Sequence, residues 1–235
     1  MCGIAGYFNP DQNYAENPKQ NFHTLSRMIN TMNHRGPDTY GHTIINSCCL
    51  AHTRLSIIDL ENGRQPMSYT KDGNTYYIVY NGEIYNYRDL RAELETQGWQ
   101  FQTNSDTEVL LTGYLAWGEG VLDRLRGMFA FAIWDRDSRE LFCARDFFGI
   151  KPFYYTQQNG RFIFASEIKC ILEHPDYTRE LNHEALEQYL CFQFSALPET
   201  FFKGIFKLAP AHCMTVHADG SITERRYWRP EYNFD

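Results

Sequence analysis

The chain opens with an apolar run, Ile4-Ala5-Gly6-Tyr7-Phe8, that stops at Asn9-Pro10, the pattern of a short buried strand. A polar loop is expected over 11–19. Phe22, Leu25, Ile29 and Met32 then recur at helical spacing and predict a helix over 21–33. Gly36-Pro37 breaks it, because the residue before a proline is pushed out of the helical region. Apolar stretches over 42–45 and 48–58 predict paired strands. Tyr76-Tyr77-Ile78-Val79-Tyr80, β-branched and aromatic throughout, predicts another that ends at an Asn81-Gly82 turn. Asn86 is placed to cap a helix carrying Leu90 and Leu94 and closed by Gly98. Ser105-Asp106-Thr107-Glu108 has the form of a capping box and opens a second helix with Leu110, Tyr114 and Trp117 on it.

Beyond residue 127 the pattern shortens. Strands are predicted over 128–134, 141–145, 152–156 and 162–166, helices over 166–172 and 183–192, and a last strand pair around Asp219-Gly220. Helices interleaved with many short, mostly antiparallel strands predict an α+β sandwich. No repeat, low-complexity tract or linker divides the chain. One domain is expected over 1–227, with 228–235 a tail or the start of a linker.

Composition removes several function classes. The 235 residues carry a net charge of −7, which offers no basic stripe to a phosphate backbone and argues against nucleic acid. No apolar run approaches the ~20 residues that cross a bilayer, and the first residues lack the basic and apolar regions of a signal, so neither a membrane nor export is expected. The 17 Phe, 16 Tyr and 4 Trp can fill a large core. Seven cysteines are an odd number with no C-x-x-C spacing, and Cys48-Cys49 are adjacent. The six after Cys2 read as reduced, mostly buried thiols of a cytoplasmic protein.

Cys2 has a different character. Removal of Met1 before so small a residue would leave a thiol and a free α-amine on one residue. The amine has an ordinary pKa of about 7.7–8.0, suited to a base near neutral pH. The sequence that follows extends this. Cys2-Gly3-Ile4-Ala5-Gly6, Asn33-His34-Arg35-Gly36-Pro37-Asp38, Arg54-Leu55-Ser56-Ile57-Ile58-Asp59, Tyr80-Asn81-Gly82-Glu83-Ile84-Tyr85-Asn86 and Ser105-Asp106-Thr107-Glu108 come in register. Ala144-Arg145-Asp146 with Gly149-Ile150-Lys151-Pro152, Phe164-Ala165-Ser166-Glu167, and Gly204-Ile205 with Lys207-Leu208 follow. Across nearly its whole length the chain resembles the glutaminase domain of class II glutamine amidotransferases, most of all that of glutamine-hydrolysing asparagine synthetases. One departure is Pro210-Ala211-His212, where that family more often has Pro-Gly-His.

The resemblance implies a four-layer α-β-β-α sandwich of the N-terminal-nucleophile type. It implies Cys2 as nucleophile toward L-glutamine, with the Asn81 amide and the Gly82 N–H as oxyanion donors. It implies Arg54 on the substrate α-carboxylate, Glu83 and Asp106 on its α-ammonium, and Ile57 in the binding site. Asn-Gly is also the strongest hairpin signal, and an acid in a first helical turn also answers the helix dipole, so the residues alone leave both uses open. His34, Arg35 and His52 read as structural. No cofactor is expected in this chain. The Ser-Gly-Gly loop of the family's ATP-binding domain is missing from it, as is a G-x-x-x-x-G-K-[ST] loop, so ATP and magnesium are expected only in a separate or missing synthetase domain or subunit that receives the ammonia. A homodimer is among the assemblies the resemblance allows. A standalone glutaminase subunit for another amide synthetase, and a glutamine-binding module without turnover, stay open as alternatives.

Overall fold

The computed structural model describes residues 1–194 and 197–231. It is built on two six-stranded antiparallel sheets packed face to face. The first contains β1 (Gly3–Phe8), β2 (Thr39–Ile45), β3 (Cys48–Arg54), β8 (Tyr154–Gln158), β9 (Arg161–Ala165) and β10 (Ile205–Lys207), in the order β10-β8-β9-β1-β3-β2. The second contains β4 (Met67–Lys71), β5 (Asn74–Ile84), β6 (Gly127–Asp135), β7 (Glu140–Arg145), β11 (His212–Val216) and β12 (Ile222–Arg226), in the order β12-β11-β7-β6-β5-β4.

Ile4, Phe8, Leu50, Val79, Trp134 and Phe164 fill the space between the sheets. On the outer face of the first sheet lie α1 (Pro18–Asn30) and α5 (Ile168–Ile171), packed through Leu25, Met28, Ile29 and Ile171. Outside the second lie α2 (Tyr87–Thr96), α3 (Asp106–Trp117) and α4 (Val121–Arg124), packed through Leu90, Leu94, Leu111 and Leu122. These are the four layers α-β-β-α, each sheet burying both faces. A further helix, α6 (His183–Phe192), matches its expected span and buries only Ala185.

Several sequence expectations need correction. Helix α1 begins three residues earlier than its apolar spacing predicts, because Pro18 sits at its first turn, where a missing N–H costs nothing. The strand expected over 48–58 ends at Arg54. Asn86 does not cap α2 with its side chain; it donates to Arg124 O (2.9 Å) and accepts from Arg126 N–H (2.9 Å) instead. Ser105 does cap α3, accepting from the Thr107 N–H, whereas Glu108 bonds the Gln102 and Thr103 N–H groups and not the capping residue's own.

The correction that matters for the site is at Asn81-Gly82. These residues do not turn. They continue β5 and pair with Ala130 and Phe129 of β6. Among the described residues all cysteines are free thiols, and only Cys191 is exposed. No described helix is long and apolar enough to cross a membrane. Trp228 rests edge-on against Phe147 and Phe148; residues 232–235 of the expected tail lie outside the described residues.

Candidate active site

One pocket opens at the ends of the strands, between the two sheets. Cys2, Arg54, Ile57, Asn81, Gly82, Glu83 and Asp106 all line it, together with Met1, Gln65, Tyr80 and Lys151. Residues distant in sequence meet there because β1, β3 and β5 end on the same side. Alternation along those strands sends Cys2, His52, Asn81 and Glu83 toward the space between the sheets, where Ile4, Leu50 and Val79 lie deeper.

The nucleophile candidate is held at both its ends. The Cys2 carbonyl accepts from Arg35 Nε at 2.9 Å, and its sulfur lies 3.4 Å from the Leu55 N–H. Arg35 in turn donates to Glu167 at 3.0 Å, and His34 Nε2 reaches the same carboxylate oxygen at 2.9 Å. Burial raises the Glu167 carboxyl, but the bonds from Arg35, Lys169 and His34 outweigh it and leave the pKa below the ordinary range. His34 and Arg35 therefore clamp the backbone behind Cys2, the structural use expected of them. Partial burial pushes the Cys2 thiol upward, against the Leu55 N–H and the positive charges of the Met1 α-amine, Arg54 and Lys151. A thiol so placed needs a base.

The floor of the pocket carries two donors. The Asn81 side chain is 1% exposed, and its Nδ2 has no hydrogen-bond partner. An orphaned buried donor costs about 1–3 kcal/mol, so it marks a place where an acceptor is expected to arrive. Gly82 supplies the second. Phe129, its partner across the ladder, gives its N–H to Asp146 Oδ2 (3.2 Å) and takes the Asp146 N–H on its carbonyl (2.8 Å). The Gly82–Phe129 pair is thus of the non-hydrogen-bonded kind, and the Gly82 N–H faces the other edge of β5. On that edge the Tyr80 N–H meets Gln65 Oε1 at 2.6 Å and the Ile84 N–H meets Asp106 Oδ2 at 3.1 Å. The Gly82 N–H lies between these two occupied positions. Only glycine fits here, since a Cβ would stand 2.3 Å from Met128 O and 2.8 Å from Phe129 Cα.

Asp106, the first residue of α3, is 5% exposed. Its Oδ2 accepts from Tyr80 Oη at 2.8 Å as well as from Ile84. Burial drives its pKa up despite these bonds. Arg54 is less free than the sequence suggests. Its Nη1 donates to Leu60 O (3.0 Å), and its Nη2 to Ile58 O (3.1 Å) and Asp59 O (2.5 Å). The guanidinium thereby ties the segment over 55–63 across the pocket mouth, with Ile57 68% exposed on it. This bend is why β3 stops at Arg54. His52, 1% exposed, bonds Tyr80 O through Nε2 at 3.0 Å; burial lowers its pKa to about 4, so it is neutral near pH 7 and braces β5.

The model of the glutamine amidotransferase domain matches residues 1–228. The chain belongs to the glutamine amidotransferase domain family. Among the relatives of this domain, asparagine synthetase [glutamine-hydrolyzing] 3 of Bacillus subtilis is 44% identical over 98% of the chain and 37% of its own length. A putative asparagine synthetase [glutamine-hydrolyzing] 2 of Methanocaldococcus jannaschii is 36% identical over 99% of the chain and 47% of its own length. The domain thus spans well under two thirds of the curated relatives it matches. Among solved structures, glutamine phosphoribosylpyrophosphate amidotransferase from B. subtilis, complexed with ADP and GMP, aligns over 97% of the domain and 50% of its own chain. The TM-score is 0.65 at 18% identity, a likeness of fold.

Lys151, Tyr80 and Gln65 line the pocket without having been expected there from sequence. Lys151 stood inside the Gly149-Ile150-Lys151-Pro152 motif, but nothing in that spacing says that a lysine will be buried. Gln65 carried no signal, since its partners, Tyr80 and Thr107, are 15 and 42 residues away.

Proposed function

We propose that this amidotransferase domain hydrolyses L-glutamine to L-glutamate and ammonia through Cys2. Removal of Met1, which lines the pocket, frees the α-amine. That amine takes the thiol proton, and the sulfur attacks the side-chain amide carbon of glutamine. Asn81 Nδ2 and the Gly82 N–H receive the tetrahedral oxyanion. The C–N bond breaks, and the amine returns its proton to the departing nitrogen, releasing ammonia. Water then cleaves the γ-glutamyl thioester to glutamate and the free thiol. Asp106 and Glu83 hold the substrate α-ammonium. Arg54 holds its α-carboxylate with the donors left over from the 58–60 carbonyls, while Ile57 closes the mouth.

The observation that carries this reading is the unpartnered Asn81 amide beside Gly82, in one pocket with Cys2. The names of the relatives support an amidation of the asparagine-synthetase type as the fate of the ammonia. ATP and magnesium then belong to the synthetase domain or subunit that accepts it. Intact-mass measurement tests the first step, with a mature chain lighter by one methionine expected. Cys2→Ala should lower glutamate release from glutamine by more than about a thousandfold. Normal release by that variant, or by a chain still blocked at Cys2, refutes the mechanism.

A further inference from the structure

Lysine is rarely buried without a partner, because taking an ammonium out of water is costly unless an anion answers it. Lys151 is 4% exposed, yet among the described residues its side chain forms no ion pair. It lies on the pocket wall, in the same lining as Cys2, Asn81, Gly82 and Glu83.

The turn that holds it is unusually well fixed. Asp146, 1% exposed, accepts the N–H groups of Phe148 (3.1 Å), Ile150 (2.9 Å) and Lys151 (2.9 Å). Arg145 closes the turn from the other side, donating to Lys151 O (2.7 Å), Gly149 O (2.7 Å) and Leu208 O (2.6 Å). Two charged side chains are thus spent on fixing one backbone segment. The segment ends in a lysine whose own charge is unspent.

The titratable and charged groups around that ammonium are Cys2 just before β1, Glu83 of β5, Asp146 of the turn and Arg35 behind β1. Those facing the Cys2 sulfur are the Met1 α-amine, Arg54 of β3 and Lys151, with Tyr80 of β5 beside it. Of the two side-chain cations in the pocket, Arg54 already has both terminal nitrogens on loop carbonyls. We infer that Lys151 is the electrostatic partner of the Cys2 thiolate, a cation on the pocket wall that forms no ion pair among the described residues, so that the charge forming on sulfur becomes its anion. The cost of burying the lysine is the stability given up for that effect.

This inference rests on Cys2 as the nucleophile of the proposed function. Its test therefore reads the sulfur directly, without glutamine. The rate of Cys2 alkylation by iodoacetamide, located by peptide mass so that exposed Cys191 does not confuse it, is followed against pH. Lys151→Met and Lys151→Gln should react roughly tenfold more slowly at pH 7, with the midpoint of the profile raised by about one pH unit. Lys151→Arg should keep the wild-type midpoint, and Lys151→Met should unfold at the same temperature as wild type or higher. A midpoint unmoved in whichever neutral variant folds overturns the inference. Wild-type protein that alkylates normally but releases no glutamate would instead refute the proposed function and leave the midpoint comparison intact.

Discussion

The turn over 146–151 and the start of α3 each bury one aspartate, and comparing them separates scaffold from site. Asp146 divides four backbone N–H groups between its oxygens: Phe148 and Ile150 on Oδ1, Phe129 and Lys151 on Oδ2. Nothing of it faces the pocket. Asp106 takes its Tyr80 and Ile84 bonds on the single oxygen Oδ2, with the Thr107 N–H near the carboxylate, and it lines the pocket. Two carboxylates equally removed from solvent thus differ in how fully they are answered. The saturated one holds a turn in place. The less saturated one keeps its charge available, and burial, helped by the nearby Glu83 charge, pushes its pKa upward.

The same isosteric substitution at both positions tests this. Asp146→Asn turns one acceptor oxygen into an NH2 group that faces two N–H donors. The expected loss is roughly 2–5 kcal/mol, read as a lower urea midpoint or melting temperature. Glutamine turnover should fall with it, because Lys151 loses its anchor. If Asp146→Asn melts within a degree of wild type, the turn is not held by its carboxylate and the contrast fails.

Asp106→Asn should move stability by only about 1 kcal/mol, since an amide oxygen still accepts from Tyr80 and Ile84. Its effect belongs to the substrate. Loss of the charge that faces the α-ammonium should lower kcat/KM for glutamine by roughly ten- to a hundredfold. Equal kcat/KM in the variant would remove Asp106 from the binding site and leave it a capping-turn acid.

These two aspartates also mark what the sequence could and could not say. Ser105-Asp106 announced a helix start correctly, because capping is a local matter of one hydroxyl and one N–H. The strands over β1, β5, β6 and β7 were legible because both faces are buried and their apolar runs are continuous. Three features were hidden by tertiary causes. Asn81-Gly82 carries the same turn signal as Asn159-Gly160, which does turn between β8 and β9, yet it runs straight, since the glycine is there for the approach of Met128 O. Leu55-Ser56-Ile57-Ile58 looks like strand but is pulled off the sheet by the Arg54 guanidinium, which exposes Ile57. β4 was missed because Met67 is its only buried residue and its other positions are polar or aromatic. The burial of Lys151 was unreadable for a similar reason. Asp146 and Arg145 fix its place, and only the fold brings Phe129 and Leu208 to them.

A smaller effect probes the scaffold from its strained side. Ala211, 1% exposed, has φ of 60°, a left-handed conformation that costs a residue with a Cβ roughly 1–2 kcal/mol relative to glycine. It stays there because the surroundings require it: its N–H donates to Asp146 O at 2.9 Å, and its carbonyl accepts from the Tyr227 N–H at 2.8 Å. The family's more frequent glycine at this place answers the backbone angle, and this chain tolerates the strain because the Asp146 turn is held from so many sides. Ala211→Gly should therefore gain up to about 1 kcal/mol, less what the freer unfolded chain takes back, and leave glutamine kinetics unchanged. The gain should also disappear in an Asp146→Asn background, where the turn no longer enforces the angle; additive effects in that double variant would mean that Ala211 is held by something other than the aspartate it touches.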